Sequence, residues 1–324
     1  MHMTFNRRHI LALSLAGGTP LLQAQTRNKY ISFIVPQPAG NPTDGFARKL
    51  QPFLQKAFGQ SVVVENFPGA GGSIGLAKAL GSQPGEPGVL ITSQTEPILT
   101  PLTLSAARYK PEDFRCVGLV GRAPFVLIGR PDLPAQSYAE LLAWGRKPGA
   151  QLSLGNVGPG SMIHLLGSQW SRKTGVPINH VSYKGLPPII TDLLGSQIDL
   201  TFAPFGGSIP QLLESGKVRI YGSTTPSPRM PSLPLLSKLD KSLGDFVYGA
   251  WAAVFVASNA PGKFVEQVHK ALVYGLSDSE VRAYVASTGV EPSPPLSLQQ
   301  LDRFYRDETA LHQKIAREVG VERQ

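Results

Sequence analysis

Short apolar runs alternate with amphipathic segments along most of the chain. The runs "YISFIVP" (residues 30–36) and "SVVVEN" (residues 61–66) are typical of buried strands, and they flank residues 43–58, where apolar side chains recur at helical spacing. Strands that alternate with helices are the pattern of parallel sheets covered by helices, so we predict an α/β fold. Further strands are predicted at residues 88–93, 125–130, 151–155, 178–183, 198–203 and 218–224, and further helices at residues 161–173, 187–194 and 209–213.

Local signals mark where several helices begin or bend. Ser137 with Glu140, and Ser297 with Gln300, have the spacing of a capping box, so a helix should begin at each serine. Pro52 lies inside the first predicted helix, where it removes a backbone donor and should produce a kink.

The N-terminal residues have the order of an export signal. An arginine pair (residues 7–8) precedes an apolar run (residues 10–16), and residues 22–24, "LQA", offer a processing site. We therefore predict a cleavable signal peptide over residues 1–24, a mature chain that begins near Gln25, and a periplasmic location reached by the Sec or the Tat route. The alternative is an ordinary N-terminus with a buried turn. No later segment has the roughly 18 apolar residues that a membrane helix needs.

Composition excludes several classes of protein. The 324 residues carry 31 Lys and Arg against 22 Asp and Glu, a net charge of +9, but no stretch concentrates the basic residues as a nucleic-acid arm does. The charge therefore gives at most a weak preference for small anions. Cys116 is the only cysteine, which rules out an internal disulfide and a lipid anchor after the signal. Its apolar surroundings predict a buried side chain.

Three glycine-rich loops each follow a predicted strand and lead toward a helix. They are "PQPAGNPTD" (residues 36–44), "PGAGGSIG" (68–75) and "GNVGPGSMIHL" (155–165). The N-terminus of a helix exposes unpaired N–H groups and a partial positive charge, so such loops can bind an anion. One such loop is more simply an ordinary turn, but three in one chain favour anion binding.

Two enzymatic interpretations remain as alternatives. Residues 69–75 resemble a dinucleotide loop with Glu96 as a possible ribose ligand, but Ile74 stands where the fingerprint requires its third glycine. Ser161 and His164 could serve a hydrolase, but "GPGSM" is not a nucleophile elbow. These features leave a nucleotide-dependent oxidoreductase or a Ser/His hydrolase as the second hypothesis.

The sequence predicts neither a metal site nor a cofactor. Outside the signal the histidines are His164, His180, His269 and His312, which lack the spacing of metal ligands. Lys184 follows a predicted strand and could bring a cation to a cleft, although a solvated lysine is the simpler interpretation.

Taken together, the loops resemble those of the Bug family of periplasmic solute receptors, the binding proteins of tripartite tricarboxylate transporters. The resemblance runs from about residue 30 to residue 321. Five segments in this order carry it: "IVPQPAGNPTDGFARKL", "VVVENFPGAGGSIG", "GNVGPGSMIHL", "HVSYKGLPPIITDLLGSQIDL" and "ESGKVRIYGSTTPSPRMPSLP".

The resemblance implies a two-lobed periplasmic binding protein fold of the type II-like kind, with the ligand in the cleft between the lobes. We expect one lobe from residues 26–122 plus 224–324 and the other from residues 123–223. The ligand carboxylate would be held by the first and third loops, largely through backbone amides, while the second loop would be structural. The candidate ligand-binding residues are Gln37, Ala39, Gly40, Asn41, Thr43, Asp44, Ser93, Gln94, Gly158, Gly160, Ser161, His164 and Lys184.

Some positions depart from the family pattern. The family usually has an aromatic residue at Gln37 and a glycine at Asn41, so the pocket floor should differ here. Some members carry an aspartate near Ala203 and Pro204, and its absence disfavours an amino-acid ligand. We therefore expect a non-catalytic monomer that binds a small carboxylated solute, serves membrane transporter subunits or a sensor, and does not bind nucleic acid.

Overall fold

The computed structural model describes residues 30–81, 88–321 and 323. The predicted signal peptide and its cleavage site lie outside these residues. Within the described residues ten strands form one continuous hydrogen-bonded arrangement. The strands are β1 (Tyr30–Val35), β2 (Ser61–Asn66), β3 (Val89–Ser93), β4 (Phe114–Gly129), β5 (Leu152–Asn156), β6 (Ile178–Ser182), β7 (Leu200–Pro204), β8 (Arg219–Ser223), β9 (Gly249–Ala257) and β10 (Glu291–Pro292).

Helices cover both parts of this arrangement. A π-helical turn at Thr95–Leu99 follows β3, and short 3₁₀ turns lie elsewhere. None of the described helices is both long and apolar enough to span a bilayer. The helices are α1 (Pro42–Phe58), α2 (Ser73–Leu80), α3 (Thr100–Thr103), α4 (Tyr138–Gly145), α5 (Met162–Thr174), α6 (Leu186–Leu194), α7 (Ile209–Glu214), α8 (Leu236–Leu239), α9 (Gly262–Ser277), α10 (Ser279–Ser287) and α11 (Leu298–Val319).

The strands form two sheets that share β4. In the first sheet β2, β1 and β3 are parallel, and β9 joins β3 to β4 by antiparallel pairing. In the second sheet β7, β5 and β6 are parallel, and both β7 and β8 pair antiparallel with β4. Residues 114–124 of β4 lie in the first sheet and residues 125–129 in the second. The two sheets therefore share one long strand, and the chain returns from the second sheet to the first between β8 and β9.

Separate apolar clusters support the two sheets. On the first sheet, Phe33 and Leu50 pack in one cluster and Phe255 packs in another. On the second sheet, Trp170 lies at the centre of a cluster that also contains Phe246 and Ile315. Residues from α11 and from the segment before β9 therefore contribute to the core of the second sheet, although they follow residue 224 in the chain.

Most predicted elements are present, but one strand is longer than predicted, and β9, α9 and α10 are among the elements that were not predicted. The strand predicted at residues 125–130 is the second half of β4, which begins eleven residues earlier at Phe114. No strand was predicted over residues 249–257, yet β9 is central to the first sheet. Cys116 is buried in β4 as predicted, and burial raises the pKa of its thiol to about 12. A buried, protonated thiol is a packing residue rather than a nucleophile.

The predicted capping signals behave in two ways. The capping box of Ser297 and Gln300 is complete at the start of α11. Ser137 caps α4 through the Glu140 amide, but the Glu140 carboxylate accepts from the backbone N–H of Gln136 rather than from that of Ser137.

The helix that contains Pro52 runs without interruption from residue 42 to residue 58.

Candidate functional site

A cleft of about 750 Å³ lies between the two sheets, where segments from both reach it. This volume is in the range of pockets that enclose small organic ligands. Residues 41–43, 46, 93–95, 250–252 and 288–290 contribute from the side of the first sheet. Residues 157, 161–163, 186–187, 190 and 204–209 contribute from the second, and Ala123 and Phe125 come from the shared strand β4.

The first glycine-rich loop satisfies most of its own amides. The Gly40 N–H donates to the Asp44 carboxylate at 3.0 Å, and the Thr43 N–H donates to the Asn41 side chain at 3.2 Å. Burial acts to raise the pKa of Asp44, but hydrogen bonds from the Arg48 guanidinium and the Gly40 amide outweigh burial and hold that pKa below its usual value. The loop is thus rigid, and the Gly40 amide is not free for a ligand.

A connected set of polar side chains stands behind this loop. The Thr43 hydroxyl donates to the Gln37 side-chain oxygen at 2.6 Å, and the Gln37 amide donates to Glu96. The Ser93 hydroxyl donates to the same Glu96 carboxylate at 2.6 Å. Glu96 is buried and does not line the cleft. Its carboxylate therefore holds the side chains of Gln37 and Ser93 in place without contacting the cleft itself.

The third glycine-rich loop delivers free backbone donors to the cleft. Ser161 caps α5: its hydroxyl accepts from the His164 N–H at 3.3 Å and donates to the Gly158 carbonyl at 2.7 Å. The N–H groups of Met162 and Ile163, in the first turn of α5, have no hydrogen-bond partner within the part of the chain that the structure describes. Both residues line the cleft. This helix end therefore presents two N–H groups and the positive end of a helix dipole.

Gln94 adds a side-chain donor. It is only 3% exposed and lines the cleft. Its side-chain oxygen accepts from the backbone N–H of Trp251 at 3.1 Å, which fixes the orientation of the Gln94 side-chain amide. The amide nitrogen has no partner among residues 30–81, 88–321 and 323, so its two N–H donors are available to a ligand.

The remaining walls of the cleft are apolar. Phe46, Phe125, Phe205 and Trp251 all line it, and each is at most 4% exposed. The Trp251 indole N–H donates to the Glu308 carboxylate on α11 at 2.9 Å, which fixes the ring in the wall. The lining contains no Lys, Arg, His, Asp or Glu within the described ranges.

Backbone contacts join the two halves at the rim of the cleft. A Cβ at Gly289 would lie 2.1 Å from the Cα of Gly206, and the Gly207 N–H donates to the Thr288 carbonyl at 3.0 Å. At another point of contact, a Cβ at Gly160 would lie 2.0 Å from the Thr103 side chain. These contacts require glycine because neighbouring segments approach so closely.

Two histidines support the third loop from outside the cleft. The Gly160 N–H points to His164 Nδ1 at 3.4 Å, and the ring of His164 packs on that of His180 with centroids 4.5 Å apart. His180 lies within hydrogen-bond distance of Asn156 and Ser168. Burial and the neighbouring His164 lower the pKa of His180 to about 4, and burial also lowers that of His164. Both rings line a separate cavity of about 390 Å³.

The structure brings together five of the candidate residues and places the others elsewhere. Asn41, Thr43, Ser93, Gln94 and Ser161 line the cleft. Lys184 is exposed, and His164 lines the second cavity, so neither lies on the cleft. The remaining candidates, which also lie outside the lining but within the two loops, are Gln37, Ala39, Gly40, Asp44, Gly158 and Gly160.

One further segment of the cleft lining has the same sequence pattern as the three predicted loops. Residues 204–209, "PFGGSI", form a fourth glycine-rich loop after a strand and before a helix, and they line the cleft. The residues of β9 that line it, 250–252, belong to the strand that was not predicted.

The second glycine-rich loop packs against neighbouring segments and does not line the cleft. A Cβ at Gly72 would lie 2.5 Å from the Glu96 side chain, and a Cβ at Gly75 would lie 2.9 Å from the Pro36 Cα.

The Ser161 hydroxyl donates to a backbone carbonyl and the His164 ring faces Gly160, so these two side chains do not form a nucleophile–base pair. No group of three or more potential metal ligands occurs in the described part of the chain.

Known proteins resemble the chain over nearly its whole length. The family model for TctC, the tripartite tricarboxylate transporter family receptor, matches residues 46–321. A UPF0065 protein in the TAR-I ttuE-ttuC' intergenic region of Agrobacterium vitis is 32% identical over 323 residues, which cover 97% of this chain and 92% of that protein.

Solved structures share the fold. The periplasmic binding protein BugD superposes with a TM-score of 0.75 at 30% identity, covering 92% of this chain and 99% of BugD. Rpa4515 of R. palustris, solved with adipate, superposes with a TM-score of 0.77 at 26% identity, covering 92% of this chain and 99% of Rpa4515. These similarities confirm the predicted two-lobed α/β binding-protein fold.

Proposed function

Because the chain belongs to the tripartite tricarboxylate transporter receptor family, we propose that it captures a small carboxylated solute and presents it to membrane transporter subunits or a sensor. The observation that carries the proposal is the set of unpaired donors on the cleft: the N–H groups of Met162 and Ile163 and the buried amide of Gln94. A carboxylate accepts several hydrogen bonds and is stabilised at a helix N-terminus, so it matches these donors. The adipate held by Rpa4515 is a ligand of this chemical class.

The protein acts by binding rather than by catalysis, as a monomer in the periplasm. A signal peptide over residues 1–24 would direct export, and the mature protein would begin near Gln25. Release of a protein with that N-terminus by osmotic shock of the native host would support this location, whereas a full-length chain in the cytosol would contradict it.

The two halves of the molecule act as lobes that close on the ligand, one built from residues 26–122 plus 224–324 and the other from 123–223, although Phe246 and Ile315 of the first pack into the core of the second. Segments from both sheets line the cleft, so a closed form offers donors from both sides. A ligand that binds the closed form more tightly shifts the population toward it. Binding should therefore reduce the radius of gyration in solution scattering.

A thermal-shift screen of mono-, di- and tricarboxylates against their neutral amides tests the ligand class. An acid at about one hundred times its dissociation constant should add about 2.7 kcal/mol of stability. The amide of the same acid should add much less. Equal stabilisation by an acid and its amide, or none by any acid, would contradict the carboxylate proposal.

A proline substitution tests the helix donors directly. Met162 is the first residue of α5, a position where proline is tolerated, and the backbone of Ser161 is extended, as a residue before proline requires. Met162→Pro removes one N–H donor, and Met162→Ala controls for the lost side chain. The proline variant should bind the best acid about tenfold or more weakly than the alanine variant, as expected for a hydrogen bond to a charged group. Equal affinities would exclude the Met162 N–H as a ligand donor.

A further inference from the structure

The polar groups of the cleft are all neutral, and most are already bonded within the protein. The Thr43 and Ser93 hydroxyls donate to Gln37 and Glu96, and the Ser161 hydroxyl donates to the Gly158 carbonyl. The polar side chains in the lining are amides or hydroxyls: Asn41, Thr43, Ser93, Gln94, Thr95, Ser161, Ser208 and Thr288.

The rest of the lining offers an extended apolar surface. Aromatic rings come from α1, β4, β9 and the loop after β7, and aliphatic side chains come from α6, α7 and the segment before β10. They are Phe46, Phe125, Leu186, Ile190, Phe205, Ile209, Trp251 and Val290. Five of these side chains are buried, and Leu186, Ile190 and Val290 are half-buried.

We propose that the cleft selects acids that carry one carboxylate on an apolar body, that is, aliphatic or aromatic monocarboxylates, over di- and tricarboxylates. The inference rests on the proposed function, because it assumes that a carboxylate occupies the donors of α5 and Gln94. It adds that the rest of the ligand lies against the apolar walls.

The physical reason is the cost of a second buried charge. Apolar surface that a ligand removes from water contributes about 25 cal/mol per Å². A second carboxylate would lose its hydration without meeting a cationic side chain, because none lines the described cleft. A terminal methyl group therefore binds better than a terminal carboxylate on the same chain.

Hexanoate and adipate are the matched probes, since both have six carbons and differ in one terminal group. Isothermal calorimetry on the mature protein, with intrinsic tryptophan fluorescence as a second readout because Trp251 lines the cleft, should give hexanoate at least about tenfold higher affinity. Benzoate extends the comparison to an aromatic body. Adipate binding as tightly as hexanoate, or more tightly, would overturn the inference.

A designed cation provides the reciprocal test. Ile190 lines the cleft on α6, so Ile190→Arg places a guanidinium beside the apolar body of the ligand. The ratio of adipate to hexanoate affinity should rise about tenfold or more. Leu194→Arg adds the same charge to the same helix at a position 40% exposed and outside the lining, so it should leave the ratio unchanged. An unchanged ratio in folded Ile190→Arg would also overturn the inference.

The outcomes separate this inference from the proposed function. Tighter binding of adipate than of hexanoate contradicts monocarboxylate selection but leaves carboxylate capture intact. Failure of every acid, including hexanoate, adipate and benzoate, contradicts both. Binding of hexanoate and its neutral amide with equal affinity contradicts the carboxylate proposal and with it the inference that rests on it, because the apolar walls would then account for the affinity.

Discussion

At the scale of single residues, the histidine pair behind the third loop should make stability depend on pH. The Gly160 N–H faces His164 Nδ1, and the Asn156 amide nitrogen lies 3.3 Å from His180 Nδ1, so each Nδ1 acts as an acceptor in the neutral ring. Protonation of each Nδ1 would turn it into a donor that faces another N–H donor. It would also place two positively charged imidazole rings next to each other. The folded state therefore favours the neutral form of both rings, consistent with their lowered pKa values.

The sign of the pH effect follows from that preference. A histidine in the unfolded chain takes up its proton near pH 6.5, whereas His180 in the folded chain does so near pH 4. Its contribution to stability is complete above pH 6.5 and is lost as the pH falls toward 4. Because both rings are partly exposed, solvent screening reduces the effect, and the wild type should lose on the order of 1 kcal/mol between pH 7.5 and pH 5.

Urea unfolding at pH 7.5 and pH 5 measures this loss. His180→Gln keeps hydrogen-bonding groups without titrating, so its stability should change less over the same interval. His269→Gln, on α9, removes a histidine elsewhere and is the control. A pH dependence that is identical in His180→Gln and wild type would exclude His180 as its source.

Residue types alone do not determine which backbone amides face a ligand. Ser93, the last residue of β3, and Gln94 directly after it both line the cleft. The Gly40 amide was expected to be free, but it donates a hydrogen bond to the carboxylate of Asp44, four residues later. Whether an amide is free depends on such local partners, which a glycine-rich pattern does not specify.

At the scale of elements, the start of α5 combines a structural and a binding role. Ser161→Ala removes the N-cap hydroxyl, which should cost about 1 kcal/mol of stability and also weaken acid binding, because the first turn of α5 would fray. Ser137→Ala removes the corresponding cap of α4, whose residues do not line the cleft. It should cost similar stability without affecting affinity. Chemical denaturation and calorimetry on the two variants measure both quantities.

Elements were predicted well where apolar periodicity and capping agree, and less well in the two long strands. Gly118, Gly121 and Pro124 resemble a turn in the sequence, yet all lie inside β4. At Gly118 and Gly121 the pairing register with β9 shifts, and Leu272 and the Glu291 backbone pack where a Cβ would stand. Strand β9, "GAWAAVFVA", is apolar at nearly every position, so periodicity cannot distinguish it from a buried helix.

At the scale of the whole molecule, the contact between Gly206 and Gly289 should control closure of the cleft. Gly289→Ala would place a Cβ 2.1 Å from the Gly206 backbone, an overlap that is relieved only when the two segments separate. Affinity for the best acid should fall about tenfold or more, and ligand-induced compaction in solution scattering should diminish.

A second glycine substitution controls for backbone strain. Gly289 has φ +89° and Gly216 has φ +67°, so alanine at either position carries a conformational cost. A Cβ at Gly216 meets no atom within 4 Å, so Gly216→Ala should lose stability but retain affinity. Equal affinities of the two variants would show that the contact between Gly206 and Gly289 does not govern binding.

The strand order also bears on how the chain acquires its structure. The second sheet is built from β5 to β8 and the end of β4, all within residues 125–223. The first sheet cannot be completed until β9 has been synthesised, because Leu90 pairs with Phe255, 165 positions later in the chain. Pairing over such separations is slow, since loop closure must precede the contacts that stabilise it. A chain that emerges N-terminus first should therefore complete its second sheet while strands β1 to β3 still have unpaired edges, which makes the nascent first half the aggregation-prone part.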